Sequence, residues 1–291
     1  MVESIGELRK ICQGADPSNR KFPMVLWRKV SIYFTKLFLY TSITANQVTI
    51  LGALIGVIGG TMLAFGNWYT FTGALLLHLH LIFDCVDGEV ARYRKGESLT
   101  GAYVELLCHH IVNPLVFMGF SFNVYNVFQD PKVFIFGFSA ILSRMLMSIA
   151  GRCKVQAVFS EYVRAHSRSG QDANKFQLRC HGKEDKIPPP SDPDEKTYLA
   201  SRSQVLHKIS HIIYICIAGQ TMRNNFILIA SLIDMAIPLI IIGPLKLNLM
   251  YILLIFYGTF SHLVWLSLVF LDVKTKSIDK LYSMLFNARA R

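Results

Sequence analysis

The segment from Leu75 to His109 carries charged side chains at the end of a stretch that is apolar enough to enter a lipid bilayer. Its first half reads LLLHLHLIFDCVDGEVAR and contains Asp84, Asp87 and Glu89. A charge at that depth is costly, so an ionisable residue in a spanning helix indicates a functional site. The segment therefore predicts a membrane helix that carries out chemistry.

One face of this helix collects the polar groups. Residues three and four apart lie one above another on a helix, which aligns His80, Asp84, Asp87 and Ala91. Two carboxylates thus point in one direction, and Gly88 leaves room for a ligand beside them. His80 is a weaker candidate, because a buried histidine is more often a packed polar residue than a catalytic one.

A second helix follows the polar break at 93–98 and presents Gly101, Glu105 and His109 at steps of four. In an antiparallel hairpin these side chains meet Asp84 and Asp87 near one membrane surface. Three carboxylates repel one another unless a divalent cation lies between them, and oxygen ligands suit Mg²⁺ or Mn²⁺. The hairpin therefore predicts a metal site.

The spacing of these residues resembles the signature of the CDP-alcohol phosphotransferase family. That signature is Asp, any two, Asp-Gly, any two, Ala-Arg, any eight, Gly, any three, Asp, any three, Asp. Its first positions correspond in this chain to Asp84, Asp87, Gly88, Ala91, Arg92 and Gly101. The last two positions depart from it, because Glu105 and His109 stand where the family has aspartates.

The resemblance implies an enzyme that transfers a substituted phosphate from a CDP-linked donor to an alcohol hydroxyl and releases CMP. It implies two divalent ions, Mg²⁺ or Mn²⁺, held by Asp84, Asp87 and Glu105. Nucleotide or phosphate contacts are expected from Gly88, Ala91, Arg92, Gly101 and Asn46. Asn46 follows Ala45 where the family often has a Pro-Asn pair, and helix capping is its alternative role. Arg92 either steadies the phosphates or closes the motif through an ion pair.

His109 occupies the position of the family's usual general base, and imidazole is itself a competent base at neutral pH. The alternatives are a metal ligand or structural role, a phosphohistidine intermediate, and a site that has lost turnover. CDP-diacylglycerol is the expected donor and a small polar alcohol the expected acceptor. The alternatives are transfer from a soluble CDP-alcohol to a lipid or lipid-linked glycan, and a non-catalytic CDP-lipid-binding protein.

Two arginines in the fourth apolar segment are candidates for holding an anionic acceptor. Arg144 lies inside the apolar run, and Arg152 follows two turns later on nearly the same face. Guanidinium groups match phosphate geometry well. The alternatives are a structural ion pair with a carboxylate of the cluster and, for Arg152, snorkelling to the membrane surface. Arg144 could also pair with Asp234, which the sequence places in a later span.

The composition predicts an all-α integral membrane protein, since 52% of the residues are hydrophobic and the mean hydropathy is +0.38. Six transmembrane helices are expected at about 48–65, 69–92, 100–127, 132–156, 225–242 and 247–271, after an interfacial amphipathic helix at 23–40. The net charge of +11 follows the positive-inside pattern, which argues against nucleic acid as the partner. Both termini and the active site are then cytosolic, in the inner membrane of a prokaryote. A homodimer is possible.

The expected organisation has five parts. They are a cytosolic and interfacial segment at 1–43, four transmembrane helices with the motif at 44–156, a cytosolic excursion and surface helix at 157–221, two further transmembrane helices at 222–272, and a basic tail at 273–291. Residues 157–204 are either a functional lid or a flexible loop, and residues 205–220 are predicted to form the surface helix.

Overall fold

The computed structural model describes residues 2–14, 24–168, 219–237, 239–242, 245–279 and 281–282. Within them the elements in chain order are α1 Ile5–Gln13, α2 Met24–Leu39, α3 Ala45–Met62 with a 3-10 turn at Leu63–Phe65, α4 Asn67–Tyr93, α5 Leu99–Phe128, α6 Val133–Arg168, α7 Gln220–Ala236, β1 Ile240–Ile242, β2 Leu245–Leu247 and α8 Leu249–Thr275.

Five segments are long and apolar enough to cross a membrane. They are Ala45–Phe65, Asn67–Tyr93, Leu99–Phe128, Val133–Arg164 and Leu249–Thr275. A hydrocarbon core about 30 Å thick requires about 20 residues of helix, and each of these segments meets that length. The expectation of an all-α integral membrane protein is therefore confirmed.

The predicted span at 225–242 differs from the structure. Helix α7 has 17 residues, which is about 26 Å of helix and short of the hydrocarbon core. It ends at Ala236, because the backbone of Ile237 (φ −133°, ψ 81°) is no longer helical, as is usual for the residue before a proline. Strand β1 then pairs with β2 in an antiparallel register that sets Ile241 opposite Lys246. Six spans are thus not confirmed.

Asp234 has a different partner from the one suggested by the sequence. Its carboxylate accepts hydrogen bonds from the backbone N–H groups of Leu249 and Met250, at 2.8 and 2.9 Å. A carboxylate at this position satisfies donors that a helix start leaves unpaired. Asp234 therefore satisfies N–H groups at the start of α8, and its pairing with Arg144 stays a prediction.

Helix α6 runs further than the fourth predicted span. It continues through residues 157–168, which the sequence assigned to the cytosolic excursion. The rest of that excursion and nearly all of the predicted surface helix, at 169–218, lie outside the described residues.

The chain forms two compact units. The first comprises residues 1–144 and 215–261 and contains the whole motif. The second comprises residues 145–214 and 262–291. Within the second unit Lys154 forms an ion pair with Asp272, which also accepts a hydrogen bond of 2.8 Å from the Ser277 hydroxyl.

Glycines of α3 bring that helix close to α4 and α5. A Cβ atom on Gly56 would lie 2.9 Å from Val112 Cγ1 and 3.1 Å from His80 Cγ, and one on Gly60 would lie 3.1 Å from the Val116 backbone nitrogen. Such distances leave no space for a larger residue. Glycines at these positions therefore allow close helix packing, and this packing fixes the two helices that carry the motif.

Glu89 joins the two N-terminal helices to α4. Its side chain is fully buried and accepts hydrogen bonds from the Gln13 amide of α1 at 2.7 Å and from the Ser31 and Thr35 hydroxyls of α2 at 2.6 Å each. A buried carboxylate requires such donors. Helices α1 and α2 are thus held against the helix that bears the motif aspartates.

Candidate active site

Three metal-ligating side chains meet where α4 and α5 face each other. His109 Nε2 lies 3.1 Å from Asp84 Oδ1 and 4.0 Å from Glu105 Oε1. One donor atom from each of the three residues lies within 4.8 Å of the other two. The convergence that the sequence predicts for these three residues is present in the structure.

The turn between α4 and α5 brings these three side chains together. Helix α4 ends at Tyr93, and the hydroxyl of Ser98 caps α5 by accepting a hydrogen bond of 3.0 Å from the Gly101 N–H. Arg94 holds the turn against the end of α2 by donating to the Thr41 carbonyl at 2.7 Å. A short, capped turn of this kind sends α5 back along α4, which brings the two polar faces together.

Asp87 is the most buried of the motif carboxylates, at 6% exposure. It accepts hydrogen bonds from the Thr49 hydroxyl at 2.7 Å and from the Gly88 N–H at 2.6 Å. These contacts orient the carboxylate, while the three-donor cluster is formed by Asp84 and the two residues of α5. Thr49 was missed by sequence reasoning, although a lone hydroxyl in the first turns of an apolar helix was an available signal.

Arg92 covers the glycine of the motif. A Cβ atom on Gly88 would lie 3.2 Å from Arg92 Nη1, so the guanidinium packs directly over that position. Its Nε–H donates to the Cys12 carbonyl at 2.5 Å. Among the described residues no ion pair involves Arg92, so the ion-pair alternative is not supported. Ala91, beside it, is partly buried.

Asn46 borders the second glycine of the motif. A Cβ atom on Gly101 would lie 3.1 Å from Asn46 Oδ1. The cap of α3 is instead Thr44, which accepts from the Gln47 N–H at 3.4 Å while the Gln47 side chain accepts from the Thr44 N–H at 2.8 Å. The interpretation of Asn46 as the helix cap is therefore wrong, and its amide is placed beside the motif.

His80 packs against the cluster from the inner side. Its ring centroid lies 6.0 Å from that of His109, with the rings nearly perpendicular. The ring is 3% exposed, and its Nδ1 lies 2.9 Å from the Gly52 carbonyl oxygen. Among the described residues, neither His80 Nε2 nor His109 Nδ1 has a hydrogen-bond partner, although both atoms are buried.

Two arginines of the first unit lie close enough to interact electrostatically, and one of them also acts on the cluster. The positive charge of Arg144 lies close enough to both His109 and Arg223 to interact with them electrostatically. Arg223 is 3% exposed and donates to the side-chain oxygens of Asn113 at 2.6 Å and of Asn224 at 3.2 Å. Sequence reasoning missed Arg223, because nothing local shows that α7 packs on the core. Arg152 belongs to the second unit and is exposed.

The donor set fits a divalent cation. Two carboxylates and an imidazole nitrogen within 4.8 Å of one another offer negative charge and lone pairs at one point. Mn²⁺ accepts oxygen and imidazole ligands, whereas Mg²⁺ prefers oxygen and retains several water ligands. The cluster can therefore hold a divalent cation.

Comparison with known proteins agrees with this chemistry. The sequence model of the CDP-alcohol phosphatidyltransferase family matches residues 42–178, which include Asp84, Glu105 and His109. A phosphatidylinositol phosphate synthase of Mycobacterium tuberculosis is 28% identical over 121 residues, which are 41% of this chain and 55% of the relative. Proteins of the same name from Mycobacteroides abscessus and Streptomyces avermitilis are 30% identical over 91 residues and 26% over 101 residues, covering 31% and 35% of this chain and 41% of each relative.

The chain thus spans about half the length of the curated relatives it matches. The matched region begins just before α3 and takes in the capped turn and both motif helices. At residues 42–178, therefore, the chain is similar to the CDP-alcohol phosphatidyltransferase family.

Proposed function

We propose that this protein is a membrane enzyme that transfers a substituted phosphate from a CDP-linked donor to an alcohol hydroxyl and releases CMP. The observation that carries the proposal is the meeting of Asp84, Glu105 and His109 inside the family-matched segment. A cluster of this charge beside an apolar helix bundle is suited to a substrate with both a pyrophosphate and lipid chains.

Asp84, Asp87 and Glu105 are the residues that would hold the divalent ions, Mg²⁺ or Mn²⁺. Bound ions supply charge neutralisation to the pyrophosphate and to the leaving group. Asp87 is already oriented by Thr49. Glu105 keeps the charge of the aspartate that it replaces and extends it by one methylene group.

The transfer forms one phosphorus–oxygen bond and breaks another. The acceptor hydroxyl oxygen bonds to the β-phosphorus of the donor, and the bond from that phosphorus to the CMP oxygen breaks, with the electron pair leaving on CMP. His109 Nε2 takes the proton of the hydroxyl. Arg92, lying over Gly88, offers its guanidinium to the donor phosphates.

We further propose CDP-diacylglycerol as the donor and a phosphate-bearing polar alcohol as the acceptor. The names of the relatives support an inositol phosphate as the first acceptor to test. Arg144 supports it as well, because it brings positive charge to the neighbourhood of His109. The role of Arg152 in acceptor binding stays a prediction.

The site is proposed to face the cytosol of a prokaryote, with both termini on the same side of the inner membrane. The support is the distribution of basic residues. Arg92, Arg94 and Lys95 crowd the turn beside the cluster, whereas the turn at the other end of α5 offers Lys132.

The test is CMP release by the purified full-length protein with CDP-diacylglycerol, Mg²⁺ or Mn²⁺, and a panel of alcohols that includes inositol phosphate and inositol. Asp84→Asn removes one charge from the cluster and should abolish release. Asp130→Asn is the matched control, because Asp130 only caps the remote turn before α6 through the Lys132 N–H at 3.0 Å.

Each outcome assigns the function. Metal-dependent CMP release that Asp84→Asn abolishes and Asp130→Asn retains supports the proposed transfer. CMP release only from a soluble CDP-alcohol would show that this compound, and not CDP-diacylglycerol, is the donor. Binding of CDP-diacylglycerol without release in any mixture would overturn the enzyme in favour of a binding protein.

A further inference from the structure

Two buried nitrogen atoms without partners belong to neighbouring rings. Among the described residues, His80 Nε2 and His109 Nδ1 are both buried and neither forms a hydrogen bond. The two rings are in edge-to-face contact, with centroids 6.0 Å apart. Because unpaired buried polar atoms cost free energy, one such atom on each of two rings in contact indicates a hydrogen bond that forms in another state of the site.

The proton position on His80 is fixed by the backbone of α3. His80 Nδ1 lies 2.9 Å from the Gly52 carbonyl oxygen, which can only accept, so Nδ1 carries the hydrogen. At 3% exposure the neutral ring is strongly favoured over a charged one. His80 Nε2 therefore presents a lone pair and is an acceptor without a donor.

The same ring is also fixed in position. Gly56 of α3 packs against it so closely that a Cβ atom there would lie 3.1 Å from His80 Cγ, and Val112 fills the adjacent space. With its Nδ1–H committed to Gly52, the ring cannot turn without losing that hydrogen bond. The acceptor atom is thus held on a rigid support.

His109 has a buried nitrogen, Nδ1, that can donate to such an acceptor. Without an ion at the cluster, its Nε2 lies 3.1 Å from an Asp84 oxygen, which favours a hydrogen on Nε2. To take a proton from a hydroxyl, Nε2 must instead offer a lone pair, and the ring hydrogen must then be on Nδ1. That Nδ1–H lies in a buried position and requires an acceptor.

We propose that His80 is a positioning residue for His109. Once a divalent cation occupies the Asp84 oxygens, His109 holds its hydrogen on Nδ1 and donates it to His80 Nε2, directly or through one water molecule. The chain of contacts is then Gly52 carbonyl, His80, His109 and the acceptor hydroxyl. This role rests on the proposed function, because it supplies the lone pair that the transfer needs at His109 Nε2.

Nitrogen NMR of the full-length protein labelled at histidine tests the proposal without a variant. The signals of His109 and His80 are assigned by their loss in His109→Gln and His80→Gln. Addition of Mg²⁺ should move the hydrogen of His109 from Nε2 to Nδ1, while His80 keeps its hydrogen on Nδ1 throughout. A His109 ring that keeps its hydrogen on Nε2 with Mg²⁺ bound would overturn the proposal.

Two substitutions then separate positioning from packing. His80→Gln keeps an acceptor oxygen near the place of Nε2, whereas His80→Leu fills the space without one. We expect kcat for CMP release to fall about 10-fold to 100-fold in His80→Leu, the size of other losses of an orienting partner, and to recover largely in His80→Gln. His78→Leu is the control, because that ring of α4 hydrogen-bonds with the Ala74 carbonyl and Asn225 instead.

Mn²⁺ binding, followed by electron paramagnetic resonance in the absence of substrate, separates a failure of the proposed function from a failure of the proposed role of His80. Wild-type protein that binds Mn²⁺ and releases CMP while His80→Leu has the wild-type kcat would overturn the role of His80 alone. Equal losses in His80→Leu and His80→Gln would also overturn it, since packing would then explain both. Wild-type protein that binds no Mn²⁺ and releases no CMP would overturn the proposed function and, with it, this role.

Discussion

His109 Nε2 lies 3.1 Å from Asp84 Oδ1, so the last position of the motif contacts the first. In the family signature both positions are aspartates, which repel each other without a cation between them. The pair in this chain attracts instead, because an imidazole can donate to a carboxylate. The cluster is therefore closed by its own side chains before any ion binds.

The pair predicts the behaviour of two substitutions at the fourth motif position. His109→Ala removes the proposed base and should lower kcat about 10²-fold to 10⁴-fold. His109→Asp restores the family residue and should retain more activity, and it should need a lower Mg²⁺ concentration for half-maximal rate, because the added carboxylate attracts the cation that relieves the repulsion. CMP release measured against Mg²⁺ concentration tests both, and wild-type activity in His109→Ala would exclude His109 as the base.

Glu105 is the motif residue most open to solvent, with a side chain that is 51% exposed. Glu105→Gln removes one negative charge from the cluster and should weaken Mn²⁺ binding about 10-fold, which corresponds to about 1.4 kcal/mol. Glu97→Gln is the matched control, because Glu97 lies exposed in the adjoining turn and outside the donor cluster. Equal affinities of the two variants would remove Glu105 from the ligand set.

The buried carboxylate of Glu89 should control how firmly α1 and α2 stay attached. Glu89→Leu leaves the Gln13 amide and the Ser31 and Thr35 hydroxyls without their acceptor, at a cost of about 1–3 kcal/mol for each donor that stays buried. We expect a lower unfolding temperature in detergent and faster tryptic cleavage within α2. Glu161→Leu, at an exposed site of α6, should change neither.

Local sequence patterns predicted most of the membrane helices and the residues that form the cluster. The capped start of α3 at Thr44, the apolar spans and the helical spacing of Asp84, Glu105 and His109 all follow from patterns within a few turns of helix. The resemblance to a family then assigned these residues their roles. These features are local, so the structure changed them little.

The features that were missed depend on contacts between distant segments. Asn46 kept helix capping as an alternative role, because the sequence does not show that α3 brings it beside Gly101. Thr49 and Arg223 have no local pattern that reveals their partners on other helices. Helix α7 was taken for a span, because its apolar content was read without the break at Ile237.

The docking of α1 should depend on pH through two carboxylates. The Tyr93 hydroxyl donates to the Glu3 carboxylate and lowers the pKa of Glu3, and the Ser4 hydroxyl and amide lower the pKa of Glu7. A lowered pKa in the folded state means that the stabilisation is present above the ordinary pKa, about 4.3 for glutamate, and is lost as the pH falls through the lowered value.

Hydrogen exchange of residues 5–13, corrected for the intrinsic rate, should therefore show protection at about pH 6 and its loss towards about pH 3, where glutamate is protonated. Glu3→Gln should weaken protection at about pH 6 and reduce the change between the two conditions. Protection that does not vary with pH would show that the buried contacts of α1 alone hold the helix.

The close approach of α3 and α5 predicts a large effect from a single methyl group. A Cβ atom on Gly60 would lie 3.1 Å from the Val116 nitrogen and 3.2 Å from the Leu115 carbonyl carbon, and backbone atoms cannot move aside as a flexible side chain can. Gly60→Ala should therefore destabilise the protein by about 1–3 kcal/mol, the usual cost of overpacking.

Gly151→Ala provides the control for this substitution. Gly151 also lies within a helix, and nothing lies within 4 Å of a Cβ atom built there. In this position the exchange should be neutral or stabilising by up to about 1 kcal/mol, because alanine loses less backbone entropy in a helix. Unfolding in detergent measures both variants. If Gly60→Ala were as stable as Gly151→Ala, α3 and α5 would have to be further apart than described.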